Sequence, residues 1–173
     1  MSGRILVGDY DGIYVIRFEG DVRVTLCGSF DHYLERMLAD PEFASALVDL
    51  SGASAIDSTS LGVLAKLSIG VKRRVQRVPT LICAAPDILR ILTNMGFEDV
   101  FDIVADHACL QQDLAELPVA AQLNEDEMRQ RVIEAHRVLM SMNAENADTF
   151  RDLVTALEAE SDQRRASRSR LRR

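Results

Sequence analysis

The chain has 173 residues, 47% apolar and 27% charged, with a formal charge of −7; this suits a soluble globular domain with an appendage and excludes collagen-like or low-complexity chains. No run of about 18 apolar residues occurs, so no helix is expected to span a membrane. Residues 161–173 hold six arginines and one acid, leaving 14 Lys+Arg against 26 Asp+Glu in residues 1–160; so acidic a body argues against nucleic acid as the main partner.

Residues 4–7 (Arg-Ile-Leu-Val) and 13–18 (Ile-Tyr-Val-Ile-Arg-Phe) predict two strands joined across the turn-rich stretch Gly8–Gly12. Phe30, Tyr33, Leu34, Met37 and Leu38 recur at three- and four-residue spacing, which predicts a helix from Ser29 to Asp40, closed by Pro41. Ala46–Leu50 reads as a short apolar strand that runs into a small-residue loop. The loop empties into a helix from about Ser58 to Arg74 that opens Asp57-Ser58-Thr59-Ser60. Leu61, Leu64 or Ala65, Ser68 and Val71 form its stripe, and Lys72, Arg73 and Arg74 sit where cations favour the helix dipole. Thr80–Cys83 is the next strand. Pro86 opens a helix that carries Ile88, Leu89, Ile91, Leu92 and Met95 and stops at Gly96. Val100–Val104 is the last strand, and Asp106 can cap a helix to about Leu117.

Strands and helices that alternate in this way predict an α/β fold: a mixed, mostly parallel sheet flanked by helices, spanning residues 1–117. Loops beyond the carboxyl ends of such strands face ligands and partners, and the Asp57-Ser58-Thr59 loop lies at one of them. Pro118 punctuates the chain, and residues 118–173 form a helical extension. Asn124 and Glu127 fit a capping box. Met128, Val132, Ala135, Leu139 and Met142, then Ala147, Phe150, Val154 and Leu157, predict two amphipathic helices in a hairpin, each about 20 residues long. Their stripes are expected to pack on the α/β domain; a partner or a second copy is the alternative. The Arg/Ser-rich end is read as frayed and solvated.

Three hydroxyls, on Ser58, Thr59 and Ser60, cluster at a helix N-terminus, where unpaired N–H groups and the positive end of the dipole accommodate a negatively charged oxygen. Ser58 is thus a candidate phosphorylation site. From the tetrapeptide alone, a purely structural cap is the stronger reading. A receiver domain would use Asp49 at a strand end, but no acidic pair leads from the first strand into a helix and no lysine follows the last strand. An enzyme is disfavoured as well. Ser58 lacks the flanking glycines of a nucleophile elbow, and His32, His107 and His136 are not placed by motif to activate it. These histidines have no zinc-ligand spacing and read as surface or half-buried residues. Cys27, Cys83 and Cys109 are widely spaced core residues without a disulfide framework. No metal or cofactor is expected, and the N-terminus lacks a signal-peptide apolar region, so a cytoplasmic location is expected.

The stretch from Val48 to Leu64 resembles the STAS domain family of sulfate transporters and anti-sigma factor antagonists. It carries Asp49-Leu50-Ser51 at a strand end, then Asp57, Ser58, Thr59, Leu61 and Gly62. A second patch, Leu92, Gly96, Phe97, Val100, Phe101 and Ile103, is similar to the family's late segment, so the resemblance covers about residues 4–117. Ser60 stands where the family has Gly, and adds a candidate phosphoacceptor beside Thr59. The resemblance implies a bacterial anti-sigma factor antagonist. A serine kinase would phosphorylate Ser58 and a PP2C-type phosphatase would reverse it, and a second signalling enzyme is a further possible partner. The unmodified form would bind the anti-sigma factor through Asp57, Ser58, Thr59, Ser60, Leu61, Gly62 and Leu64, and the phosphorylated form would release it. The alternative is a phosphorylation-independent STAS binding module or scaffold.

Overall fold

The computed structural model describes residues 2–106, 113–119 and 123–172. It begins with an antiparallel pair, β1 (Arg4–Tyr10) and β2 (Ile13–Val22). Only Asp11 and Gly12 separate them, at φ 48° and 83°. Two left-handed residues in a two-residue loop match the right-handed strand twist, which is why Asp-Gly stands here. A Cβ on Gly12 would also lie 2.0 Å from the Glu42 carbonyl oxygen.

There follow α1 (Cys27–Ala39), β3 (Ser45–Ile56), α2 (Ser58–Val75), β4 (Thr80–Ile82), α3 (Pro86–Asn94), β5 (Asp102–Val104), β6 (Ala115–Glu116), α4 (Glu125–Met142) and α5 (Ala144–Leu171). The sheet order is β5-β4-β3-β2-β1-β6. β2, β3, β4 and β5 pair in parallel, while β1 pairs antiparallel with both β2 and β6. The expected mixed, mostly parallel α/β sheet is present.

Side chains alternate across this sheet. Ile16, Phe18, Val48, Leu50 and Leu81 join one large core with Phe30 and Leu34 of α1, Leu61, Leu64 and Leu67 of α2, and Leu92 of α3. Val15, Leu47 and Ile82 form a small cluster of their own. Burying each large aliphatic contributes about 1.5–3 kcal/mol, so the helix-covered face dominates stability.

Two elements differ from expectation. The loop read at Ser51–Ile56 continues β3, pairing with β2 through register shifts between Arg17 and Glu19 and between Gly20 and Asp21. Small residues there look like a loop, yet parallel pairing satisfies their backbone and carries the chain straight to Asp57. Half of the helix expected from Asp106 to Leu117, residues 107–112, falls outside the described residues, and its end, Ala115–Glu116, is strand, opposite Val7 and Leu6.

The hairpin forms, but α4 buries Arg129, Ile133 and His136 together with the expected Ala135 and Leu139, and α5 is 28 residues long, not about 20. Asn124 accepts from Glu127 N at 2.9 Å and the Glu127 carboxylate accepts from Asn124 N at 3.0 Å, completing the capping box. Asn143 caps α5, accepting from Asn146 N at 2.8 Å. Asn146, 3% exposed, donates to Met95 O at 2.9 Å and Leu139 O at 3.0 Å, tying the hairpin to the end of α3. The Arg-rich end is not frayed: α5 runs to Leu171. Arg164 pairs with Glu125 at 2.8 Å and Arg168 with Asp126 at 2.6 Å, so acids at the start of α4 hold two of its arginines.

Candidate functional site

β3 ends where α2 begins, and Asp57 makes the joint. Its backbone is extended (φ −86°, ψ 165°). One carboxylate oxygen accepts from Ser60 N at 2.8 Å and the other from Val24 N at 2.7 Å. Asp57 therefore caps α2 and ties it to the turn before α1. Upstream, Asp49 is 3% exposed; it accepts from Arg17 Nε and Ser51 N, each at 2.9 Å. It lies within β3, where it ties the strand to Arg17 of β2.

Ser58, the first residue of α2, is partly exposed. Its Oγ lies 2.8 Å from His136 Nε2 of α4. His136 Nδ1 lies 2.6 Å from Val132 O. A carbonyl only accepts, so Nδ1 carries the proton, and in the neutral ring Nε2 accepts from the Ser58 hydroxyl. The ring is 1% exposed and stands edge-on to Phe150, centroids 4.9 Å apart. The hydroxyl is oriented by His136. No motif links the two residues, which stand 78 positions apart, and the sequence reads as surface or half-buried a histidine that is in fact buried. The one signal was a polar residue on an apolar stripe, four after Val132.

The other site residues turn inward. Thr59, Ser60, Leu61 and Leu64 are 5%, 4%, 1% and 0% exposed. Ser60 Oγ is 3.5 Å from Cys27 Sγ, inside the core, so neither Ser60 nor Thr59 offers an accessible phosphoacceptor in this conformation. Gly62 is buried because α4 crosses it: a Cβ there would lie 2.3 Å from Ala135 O and 2.7 Å from Ala135 Cβ. Unbroken burial from Thr59 to Ala65 follows from the core on one side of α2 and α4 on the other. The seven residues expected to dock a partner do not form an open surface here; only Asp57 and Ser58 are partly accessible.

Beside this crossing, Asp31 of α1 accepts from Lys66 of α2 and Arg131 of α4, each at 2.6 Å. A cavity of about 290 Å³ opens there, lined by Cys27, Gly62, Val63, Ala135 and Val138 among others. Burial pushes the Cys27 thiol up to about 12, which keeps it protonated and unreactive. Among the described residues no cluster of His, Cys, Asp and Glu could hold a metal ion, and no helix is long and apolar enough to cross a membrane. A serine hydroxyl donating to an oriented imidazole is also how a nucleophile meets its base. Here the third member is a backbone carbonyl, without the charge that a carboxylate contributes to stabilising an imidazolium.

Comparison with solved structures finds a similar fold in an anti-sigma factor antagonist from Mycobacterium paratuberculosis. The TM-score is 0.53 at 20% identity, covering 61% of this chain and 87% of that one. Comparison with curated proteins finds no match. The STAS domain family model matches residues 4–109, and with more than half of the sequence matched, the chain belongs to the STAS domain family.

Proposed function

We propose that this chain is an anti-sigma factor antagonist that works without catalysis in the bacterial cytoplasm. The unphosphorylated form binds and sequesters an anti-sigma factor, which frees the sigma factor; phosphorylation of Ser58 switches partner binding. A serine kinase writes the mark, a PP2C-type phosphatase removes it, and a second signalling enzyme is a candidate reader. The reading rests chiefly on one observation: the motif serine stands at the first position of α2, partly exposed, with its hydroxyl held in a defined hydrogen bond. A phosphoserine there adds about −1.5 to −2 charges beside the Asp57 carboxylate. A partner that buried this dianion unpaired would lose several kcal/mol, enough to weaken affinity roughly 100-fold.

The experiment has two arms. A phosphate-affinity gel of the protein from cells is expected to show a shifted band that vanishes in Ser58→Ala. Pull-down of the anti-sigma factor is expected from wild type and Ser58→Ala but not from Ser58→Glu. Equal capture by all three eliminates the switch. The burial of Leu61, Gly62 and Leu64 favours a second reading, a phosphorylation-independent STAS binding module or scaffold that engages partners through another surface; a single unshifted band together with equal capture selects it.

A further inference from the structure

We infer that the α2 face around Ser58 and Gly62 is a helix-binding groove whose occupant in the unmodified chain is α4, and that phosphorylation of Ser58 evicts it. The inference deepens the proposed function and rests on its assignment of Ser58 as the modified residue.

Three features mark the groove as built for a helix. Gly62 offers bare backbone where Ala135 makes the closest approach; glycine facing alanine is how two helix backbones come near. Ser58, four residues earlier on the same face of α2, donates its proton to His136 Nε2 at 2.8 Å. Asp31 then joins Arg131 of α4 to Lys66 of α2. The seat is thus an apolar crossing with a polar latch on each side. Its ligand class is an amphipathic helix with a small residue over Gly62 and an acceptor over Ser58, a description that α4 fulfils.

The latch at Ser58 depends on one proton. In the transfer, a bond forms from Ser58 Oγ to the γ-phosphorus of a nucleoside triphosphate. The bond from that phosphorus to the β–γ bridging oxygen breaks, a nucleoside diphosphate leaves, and the hydroxyl proton passes to the kinase's base. The ester oxygen left behind has nothing to donate, so two acceptors face each other where one hydrogen bond stood. The ring that faces the new charge is held in place, 1% exposed and edge-on to Phe150. The phosphoryl group also needs room beside a crossing already at backbone contact. With α4 gone, Gly62 and its neighbours on α2 are open, beside the phosphate, to a helix of the second signalling enzyme that reads the phosphorylated form; the anti-sigma factor, which the dianion repels, binds the unmodified chain by displacing α4.

The test uses the full chain with phosphoserine encoded genetically at position 58, so no cellular kinase is needed. Hydrogen–deuterium exchange is compared with the unmodified protein. Expected is exchange at least about tenfold faster across Val132–Leu139, with β2 and β3 unchanged. Gly62→Ala, which adds one methyl group and no charge at the same crossing, is expected to give the same pattern. Unchanged protection of α4 in either protein overturns the inference, as does loss of protection in β2 and β3, which would mean unfolding instead of uncovering. Failure of the phosphorylation reading is seen separately, in the phosphate-affinity gel of protein from cells.

Discussion

His136 does three things at once: it receives the Ser58 proton, donates to its own helix at Val132, and fills space against Phe150. His136→Ala removes a buried ring and leaves the Ser58 hydroxyl without its acceptor. Urea denaturation is expected to show a loss of about 2–4 kcal/mol, with no change in the cap of α2. Cys27 supplies a pH prediction. Burial holds its thiol near 12, above the ordinary 9.0, and burial likewise lifts the Tyr33 hydroxyl from 10.0 to about 12. Both folded values are raised, so the stability that depends on the protonated forms is intact below pH 9 and falls as pH climbs toward 12. Native Cys27 should therefore resist iodoacetamide at pH 8, and the urea midpoint at pH 10.5 should lie below that at pH 8. At this scale the sequence was half readable. Asp57 and Ser58 announced themselves as a cap and an adjacent hydroxyl. His136 did not, because a tertiary contact between distant residues leaves no local spacing to detect.

At the scale of elements, Gly62 and Asn146 fix how the hairpin sits. Gly62→Ala improves the intrinsic helix propensity of α2 by up to about 1 kcal/mol, yet its Cβ would meet Ala135 O at 2.3 Å. The clash is expected to win, for a net loss of about 1–3 kcal/mol in thermal unfolding; net stabilisation would mean α4 yields without cost. Asn146→Ala strips two carbonyls, Met95 O and Leu139 O, of a buried donor. It should lower stability by about 1–3 kcal/mol, with fast exchange confined to the start of α5 and the end of α3. Helices with strong three-four periodicity, α1, α2 and α4, were legible nearly to their ends. The outer half of β3 and all of β6 were not. Ser51–Ile56 has the composition of a loop and becomes strand only because β2 lies beside it, and Ala115–Glu116 pairs with β1 without any apolar alternation of its own.

For the whole molecule, the matched family region and the hairpin are held together by unlike forces. A large apolar core secures the sheet, while ion pairs bind the far end of the hairpin. The Arg164 guanidinium holds the Glu125 carboxyl below its usual 4.5, and Arg129 holds Asp126 below its usual 3.8. Depressed folded values mean that this stabilisation is present above the unfolded values and is lost as pH falls through the folded ones. Trypsin cleavage after Arg164 and Arg168 at pH 7 should therefore be slow at low salt and faster in 1 M NaCl, and the protection of the last turns of α5, measured against the exchange rate of an unfolded chain at the same pH, should fall between pH 5 and pH 3. The sheet should respond to neither change. The seat of α4 on α2 carries a quantitative corollary. An occupant joined to its own binding site by a short stretch of chain competes at an effective concentration of order millimolar. If the groove stands vacant about 1% of the time, any incoming helix binds roughly 100-fold more weakly than its intrinsic affinity. Measured dissociation constants for this protein would then report the vacancy of the groove as much as the quality of the partner, and two forms of the chain could differ a hundredfold in apparent affinity while presenting identical contacts.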